Sequence, residues 1–154
     1  RLLQAYISVR LAEEQLRKVD EKSDAKCALL FCGDFNSCPE FGVYRLFTTG
    51  EVPHSLADWK SSEEEAVSGL TASIHETLRS AYGTPDYTNY TVDFKGCLDY
   101  IFYSKELSVT CVIPLPPHEV VAHTEYLAIP SPLLPSDHLA LVATLQFIED
   151  AIHQ

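Results

Sequence analysis

Apolar residues recur three and four positions apart at the start of the chain: Leu2, Leu3, Tyr6, Ile7, Val9, Leu11, Leu16 and Val19. That spacing returns to one side of an α-helix, so it predicts an amphipathic helix with Glu13, Glu14 and Arg17 on its polar side. The charged stretch 20–24 reads as a solvated connection. At 27–32 the periodicity gives way to a continuous apolar run, too short for a buried helix and suited to a buried strand. It stops at Gly33, and Asp34 and Asn36 follow two positions apart, which on an extended chain puts both on one face at the strand's carboxyl end. Pro39 then suits a first helical position, with Val43, Tyr44, Leu46 and Phe47 as the apolar side and Gly50 as the stop.

Residues 51–69 read as a surface loop with one short helix, in which Glu63-Glu64-Glu65 is a solvated run. A further short helix is expected at 73–80. From Thr84-Pro85 onward the chain reads as a turn into a β-prone aromatic run, with strands at 98–103, 107–113 and 139–147. Pro114, Pro116, Pro117, Pro130, Pro132 and Pro135 make the crossing between the last two mostly loop. Helix, strand, helix and then several strands predict an α/β fold.

Composition narrows the function. The 154 residues are one domain's length, and a formal charge of −11 argues against a large non-specific nucleic-acid surface. It leaves room for a small phosphate-bearing substrate held by a cation. No run approaches the roughly 18 apolar residues of a membrane span, so no membrane association is expected. The five cysteines, Cys27, Cys32, Cys38, Cys97 and Cys111, are odd in number and hold no C-x-x-C pair. They read as reduced thiols of an intracellular protein, in the mitochondrial matrix or the cytoplasm, with zinc not expected. Because the chain begins at Arg1 and contains no Met, residue 1 is not expected to be a natural start.

Three stretches carry chemistry. Asp34 can hold a hard cation or a water, and the Asn36 amide can donate to a phosphate oxygen, although Gly, Asp and Asn are also ordinary turn formers. Asp99 lies in an otherwise apolar strand, where an unpaired carboxylate is costly. Asp137-His138 stands at the start of the last strand. A strand-embedded Asp and a strand-end His make a natural orienting pair, the alternatives being a loop cap and a structural histidine. Phosphodiester hydrolysis needs a cation, a positioned water and stabilisation of the phosphoryl oxygens, and these residue types can supply them.

Gly33-Asp34-Phe35-Asn36, then Tyr87-Thr88-Asn89-Tyr90 with Phe94-Lys95-Gly96-Cys97-Leu98-Asp99-Tyr100-Ile101-Phe102, then Pro135-Ser136-Asp137-His138, resemble the exonuclease–endonuclease–phosphatase superfamily. Within it the chain is similar to the deadenylase branch. Val112-Ile113-Pro114-Leu115-Pro116 and the long loop before Ser136 favour the subgroup that degrades 2′,5′-oligoadenylate and trims poly(A). The resemblance implies the C-terminal half of a DNase I-like four-layer α/β sandwich with a mostly antiparallel sheet, residues 1–154 being that half. It implies a Mg²⁺-dependent phosphodiesterase or 3′ exoribonuclease, with Mn²⁺ as a possible substitute, acting on adenine-rich RNA or 2′,5′-oligoadenylate to release nucleoside 5′-monophosphates.

By the same resemblance, Asp34 would orient or deprotonate the attacking water and help hold a metal, and Asp137 would lie at the metal centre. Asn36 would bind the scissile phosphate. Asp99 would orient His138, which would contact the phosphate in the transition state. Phe94 would stack on adenine, with Asn89 and Thr88 beside it, Asn89 as a further substrate contact. The superfamily's first half carries an Asn, a metal-binding Glu and often a further His. That half is absent here, and Glu13 and Glu14, on a helix, are not expected to replace it. One sheet face is then expected to be uncovered, and the isolated chain to be inactive or barely active. Other readings are a truncated, non-catalytic interaction module and a superfamily member acting on another phosphodiester.

Overall fold

The computed structural model describes residues 1–149 apart from Asp24, Ser61, His123, Thr124 and Tyr126; the predicted connection at 20–24 therefore falls partly outside them. Helix α1 (Leu2–Asp20) takes up the amphipathic stretch. Its Leu2 and Val9 are buried, but Ile7, Leu11 and Val19 are about half exposed. Glu13, expected on the polar side, is turned inward. Its carboxylate accepts the backbone N–H groups of His75 and Glu76 at 2.6 and 3.0 Å, and Arg10 donates to it at 3.0 Å.

Strand β1 (Leu30–Asp34) lies at the edge of a three-stranded sheet, β1–β7–β4, in which β4 is Arg79–Ser80 and β7 is Asp99–Tyr103. Both pairings are antiparallel. The inner face, Phe31, Tyr100 and Phe102, packs with Phe35 against α2 (Gly42–Thr49), where Phe47 and Phe102 meet edge-on with ring centroids 4.9 Å apart. The outer face is open along β1 but not along β7, where Tyr103 is buried. Leu30 is 52% exposed and Cys32 is exposed, so the run expected to form a buried strand is buried on one side only. An edge strand covered by helices from one side cannot bury alternate residues.

Helix α2 begins at Gly42, three residues beyond Pro39, and ends at Gly50, whose left-handed φ of 81° closes the last turn through its N–H to the Leu46 carbonyl. The loop that follows holds the short strand β2 (Glu51–Val52), and it is not wholly superficial: Val52 and Trp59 are buried, whereas Glu63, Glu64 and Glu65 are exposed. No helix forms at 73–80. Strand β3 (Ala72–Ser73) pairs with β2, and Ile74 and Leu78 donate to the carbonyls of Gly50 and Phe47. With Glu13 accepting from His75 and Glu76, the backbone donors of this stretch are spent on distant partners, which keeps it extended over the end of α2.

Strands β5 (Asn89–Tyr90) and β6 (Lys95–Gly96) form a small hairpin; β8 (Leu107–Val112) and β9 (Ala143–Phe147) form a separate ribbon with a register shift between Val109 and Cys111. Among its described residues the proline-rich crossing is loop apart from the one-turn helix α3 (His118–Val121), and Val121 and Ile129 pack with Tyr87 and Leu139 as a second small core. Every strand pairing is antiparallel, with helices on one face, an α/β arrangement. All five cysteines are free thiols. Among the described residues, no helix is long and apolar enough to cross a membrane.

Candidate active site

The register of β1 against β7 sets Asp34 directly opposite Asp99, at one end of the sheet and on its open face. Just beyond it, Phe35 donates its N–H to the Leu98 carbonyl at 2.9 Å, which ties the Asp-Phe-Asn segment to the neighbouring strand. Asn36 adopts a left-handed φ of 49°, a conformation Asn tolerates better than most residues, and its N–H returns to Asp34 Oδ1 at 2.7 Å. This Asx-type turn leaves both side chains exposed. Behind it, the buried Tyr100 hydroxyl donates to the carbonyls of Ser37 and Cys97 and anchors the chain leaving the site.

Asp99 is held by two side chains. His138 Nδ1 lies 2.8 Å from Asp99 Oδ2, and the Thr88 hydroxyl donates to the same oxygen at 2.6 Å. Thr88 is fully buried, and its oxygen also accepts the N–H groups of Leu98 and Asp99 at 2.9 and 3.0 Å. One hydroxyl thus fixes both the carboxylate and the backbone carrying it. Backbone hydrogen bonds from Tyr90 to Asp137 and from Leu139 to Thr88 lock the 136–139 segment to the β5 edge, and the His138 N–H donates to Ser136 Oγ at 3.1 Å. Partial burial by itself lowers the His138 pKa. The hydrogen bond and charge of Asp99, aided by Asp34 and Asp137, outweigh this and raise it above the ordinary histidine value.

Asp137 is half-buried and accepts from the Asn89 side-chain amide at 3.4 Å. Asn89, expected to touch substrate, is 5% exposed in the β5–β6 hairpin, with its amide turned to Asp137. Phe94 stands at the hairpin turn, 42% exposed. Two hollows flank the sheet end. One, about 490 Å³, is lined by Asp99, Ser136, His138 and Leu141; the other, about 450 Å³, by Arg1, Gln4, Asp34 and Asn36. The structure therefore gathers Asp34, Asn36, Asp99, Asp137 and His138 at one sheet edge. Thr88, expected only as a weaker site candidate beside Asn89, holds Asp99 in place; the sequence does not signal this, because its partners lie ten and eleven residues on.

The oxygen donors of Asp34 and Asp137 are of the hard type that Mg²⁺ and Mn²⁺ take. Among the described residues, no three His, Cys, Asp or Glu side chains converge into a metal-holding group. The chain thus offers one or two carboxylates. Mg²⁺ commonly takes that many from a protein, completing its shell with water and phosphate oxygens.

Residues 2–138 match the endonuclease/exonuclease/phosphatase family. The chain belongs to that family. It is 48% identical over 120 residues to 2′,5′-phosphodiesterase 12 of Rattus norvegicus, an alignment covering 77% of this chain and 19% of that protein. It is 36% identical over 134 residues to the CCR4-Not complex 3′-5′-exoribonuclease subunit Ccr4 of Coccidioides immitis, covering 84% of this chain and 17% of that one. The chain spans about a fifth of the length of these curated relatives. The fold also resembles the crystal structure of ANGEL2, a 2′,3′-cyclic phosphatase, with a TM-score of 0.63 at 22% identity, covering 85% of this chain and 48% of that one.

Proposed function

We propose that this chain carries the phosphate-binding and histidine side of a metal-assisted phosphodiesterase active site, one that removes nucleoside 5′-monophosphates from adenine-rich RNA or 2′,5′-oligoadenylate. The observation that carries this reading is Asp34 opposite Asp99 at the open sheet end, with His138 bonded to Asp99. The names of the relatives, a 2′,5′-phosphodiesterase and a 3′-5′-exoribonuclease, support the substrate class.

Each residue has a task set by its surroundings. With Nδ1 committed to Asp99, His138 has only Nε2 to offer, and its raised pKa keeps that nitrogen protonated further up the pH scale, so that it donates to a phosphoryl oxygen. The Asn36 side-chain amide, exposed on its turn, donates to another. One oxygen of Asp34 is taken by the Asn36 N–H, and the carboxylate orients the attacking water and accepts its proton. The water oxygen forms a bond to phosphorus while the bond from phosphorus to the ribose 2′- or 3′-oxygen breaks; the departing oxygen takes up a proton, and the product is a 5′-monophosphate. A divalent cation held by Asp34 and Asp137 would supply charge neutralisation at the phosphate. Phe94 provides a face for the adenine.

With no metal-holding group of three His, Cys, Asp or Glu side chains among the described residues, the isolated 154 residues turn over slowly or not at all, and the remainder of the site comes from the first half of the fold. The test is hydrolysis of 2′,5′-triadenylate and of a 3′-oligo(A) RNA, with Mg²⁺ and with EDTA. It is run on the chain alone and on the chain joined to the amino-terminal portion of the rat relative. We expect EDTA-sensitive cleavage by the joined form, reduced at least about 100-fold by His138→Ala. A joined, folded form that cuts neither substrate would sink the reading in favour of a non-catalytic binding module.

A further inference from the structure

Phe94 carries a large aromatic ring, 42% exposed, at the turn between β5 and β6. Its backbone is pinned by the turn, since Thr91 donates its N–H to the Phe94 carbonyl at 2.7 Å and Phe94 donates to Thr91 Oγ1 at 3.1 Å. These bonds fix the main chain and leave the ring free to choose its rotamer. What limits that choice is Gly96. A Cβ built there would stand 2.8 Å from Phe94 Cζ, 3.2 Å from Phe94 Cε1 and 3.0 Å from Cys38 Sγ. The ring therefore occupies the space a side chain at 96 would fill, against the loop that follows Asn36. Gly96 is not at a positive φ, so the backbone has no need of glycine at this position. The need is for room.

We propose that Gly96 is a positioning residue: its missing side chain seats the Phe94 ring as a pre-set platform for the adenine of the substrate. This rests on the reading of the site given above and deepens it by naming what aims the base contact. A stacking partner held in place before binding loses little rotamer freedom when the base arrives, so its placement contributes directly to affinity for the base. A side chain at 96 pushes the ring off its seat and presses on Cys38 Sγ, and none of its three nearest contacts is to Asp34, Asn36 or His138.

The test is NMR titration of the chain with adenosine 5′-monophosphate and, as a probe without a base, ribose 5-phosphate. Wild type, Phe94→Ala, Gly96→Ala and the double variant are compared. The expected result is that wild type prefers the nucleotide, and that Phe94→Ala weakens nucleotide binding about 5- to 150-fold, the range a base–aromatic stack spans. Gly96→Ala should weaken it by a similar factor, the double variant should be no weaker than Phe94→Ala, and ribose 5-phosphate should bind all four alike. Wild-type nucleotide affinity in Gly96→Ala overturns the inference and leaves the stacking reading intact. Because Gly96 pairs with Asn89 and its carbonyl accepts the Thr88 N–H, damage to the hairpin would also weaken ribose 5-phosphate binding or make the double variant weaker still. Either result makes Gly96 merely structural and overturns the inference. Equal affinity of wild type for the two probes overturns this inference and the adenine reading together.

Discussion

The two sides of the sheet end are built differently. On the β7 side, Thr88, Asp99 and His138 form a closed corner in which each polar atom of Thr88 and the shared Asp99 oxygen has a partner within 3.0 Å. On the β1 side, Asp34 and Asn36 are exposed and joined only by a local turn bond. A closed polar network is rigid and contributes to stability, whereas an open pair of oxygen donors contributes little to folding and is free to take a ligand. The corner that aims the histidine is closed by its own hydrogen bonds; the corner that carries Asp34 and Asn36 is open. Substitutions on the two sides should accordingly separate stability from activity.

The largest expected effect is on the closed side. Thr88→Val keeps the shape but strips the hydroxyl, leaving the N–H groups of Leu98 and Asp99 buried without a partner and Asp99 with one donor fewer. At about 1–3 kcal/mol for each of the two unsatisfied groups, the loss should be about 2–6 kcal/mol. Urea unfolding of the chain should show a lower midpoint at unchanged slope. A loss below about 0.5 kcal/mol would mean the corner is not the rigid element it is taken to be.

Asp99→Asn tests the same corner through charge. In the metal-free wild-type chain, the His138 ring resonances should titrate above the ordinary histidine value of about 6.5, and in Asp99→Asn the midpoint should fall. The sign for stability follows: a folded-state pKa raised above the unfolded one gives a contribution fully present below about pH 6.5 and lost as pH rises through the folded value. The wild type should therefore lose part of its stability advantage over Asp99→Asn as pH climbs through that interval. An unchanged midpoint in the variant would remove Asp99 as the group that holds the imidazole charged.

The open side should behave in the opposite way. Asp34→Ala removes an exposed carboxylate that faces Asp99 and shares its surroundings with Asp137, so chain stability should stay within about 0.5 kcal/mol or rise slightly. The same substitution in the form extended with the family's first half should lower hydrolysis at least about 100-fold, through loss of the water-orienting carboxylate. Full activity would show that the chemistry does not pass through the open corner.

This contrast also explains what could be read from the sequence. The Gly-Asp-Phe-Asn turn is local, so its residues announce it; an Asp inside an apolar strand and a His at a strand end announce that each needs a partner, and the structure puts them 2.8 Å apart. Thr88 was illegible in that way because a buried Thr has the same appearance in a sequence as an exposed one. Glu13 was misassigned to the polar side because the N–H groups it accepts from lie 62 and 63 residues away. The absent helix at 73–80 has the same cause: its local pattern is weak, and long-range bonds from Ile74 and Leu78 to the end of α2 override it. That β1 is an edge strand with Leu30 and Cys32 exposed is set by its pairing with β7 and by what packs on each face, neither of which is local in the sequence.

The smallest expected effect lies at Asn36, where turn geometry and side-chain chemistry can be separated. Asn36→Gly keeps the left-handed backbone at φ 49° at no steric cost, so stability should change by only about 0.5 kcal/mol. Asn36→Ala must hold a Cβ in that conformation and should lose about 1 kcal/mol. Both lack the amide, so in the extended form both should show the same weakened phosphate binding and a comparable drop in hydrolysis. If Asn36→Gly hydrolyses as well as wild type while Asn36→Ala does not, the residue acts through its backbone turn alone. The open corner would then hold one functional side chain, Asp34, instead of two.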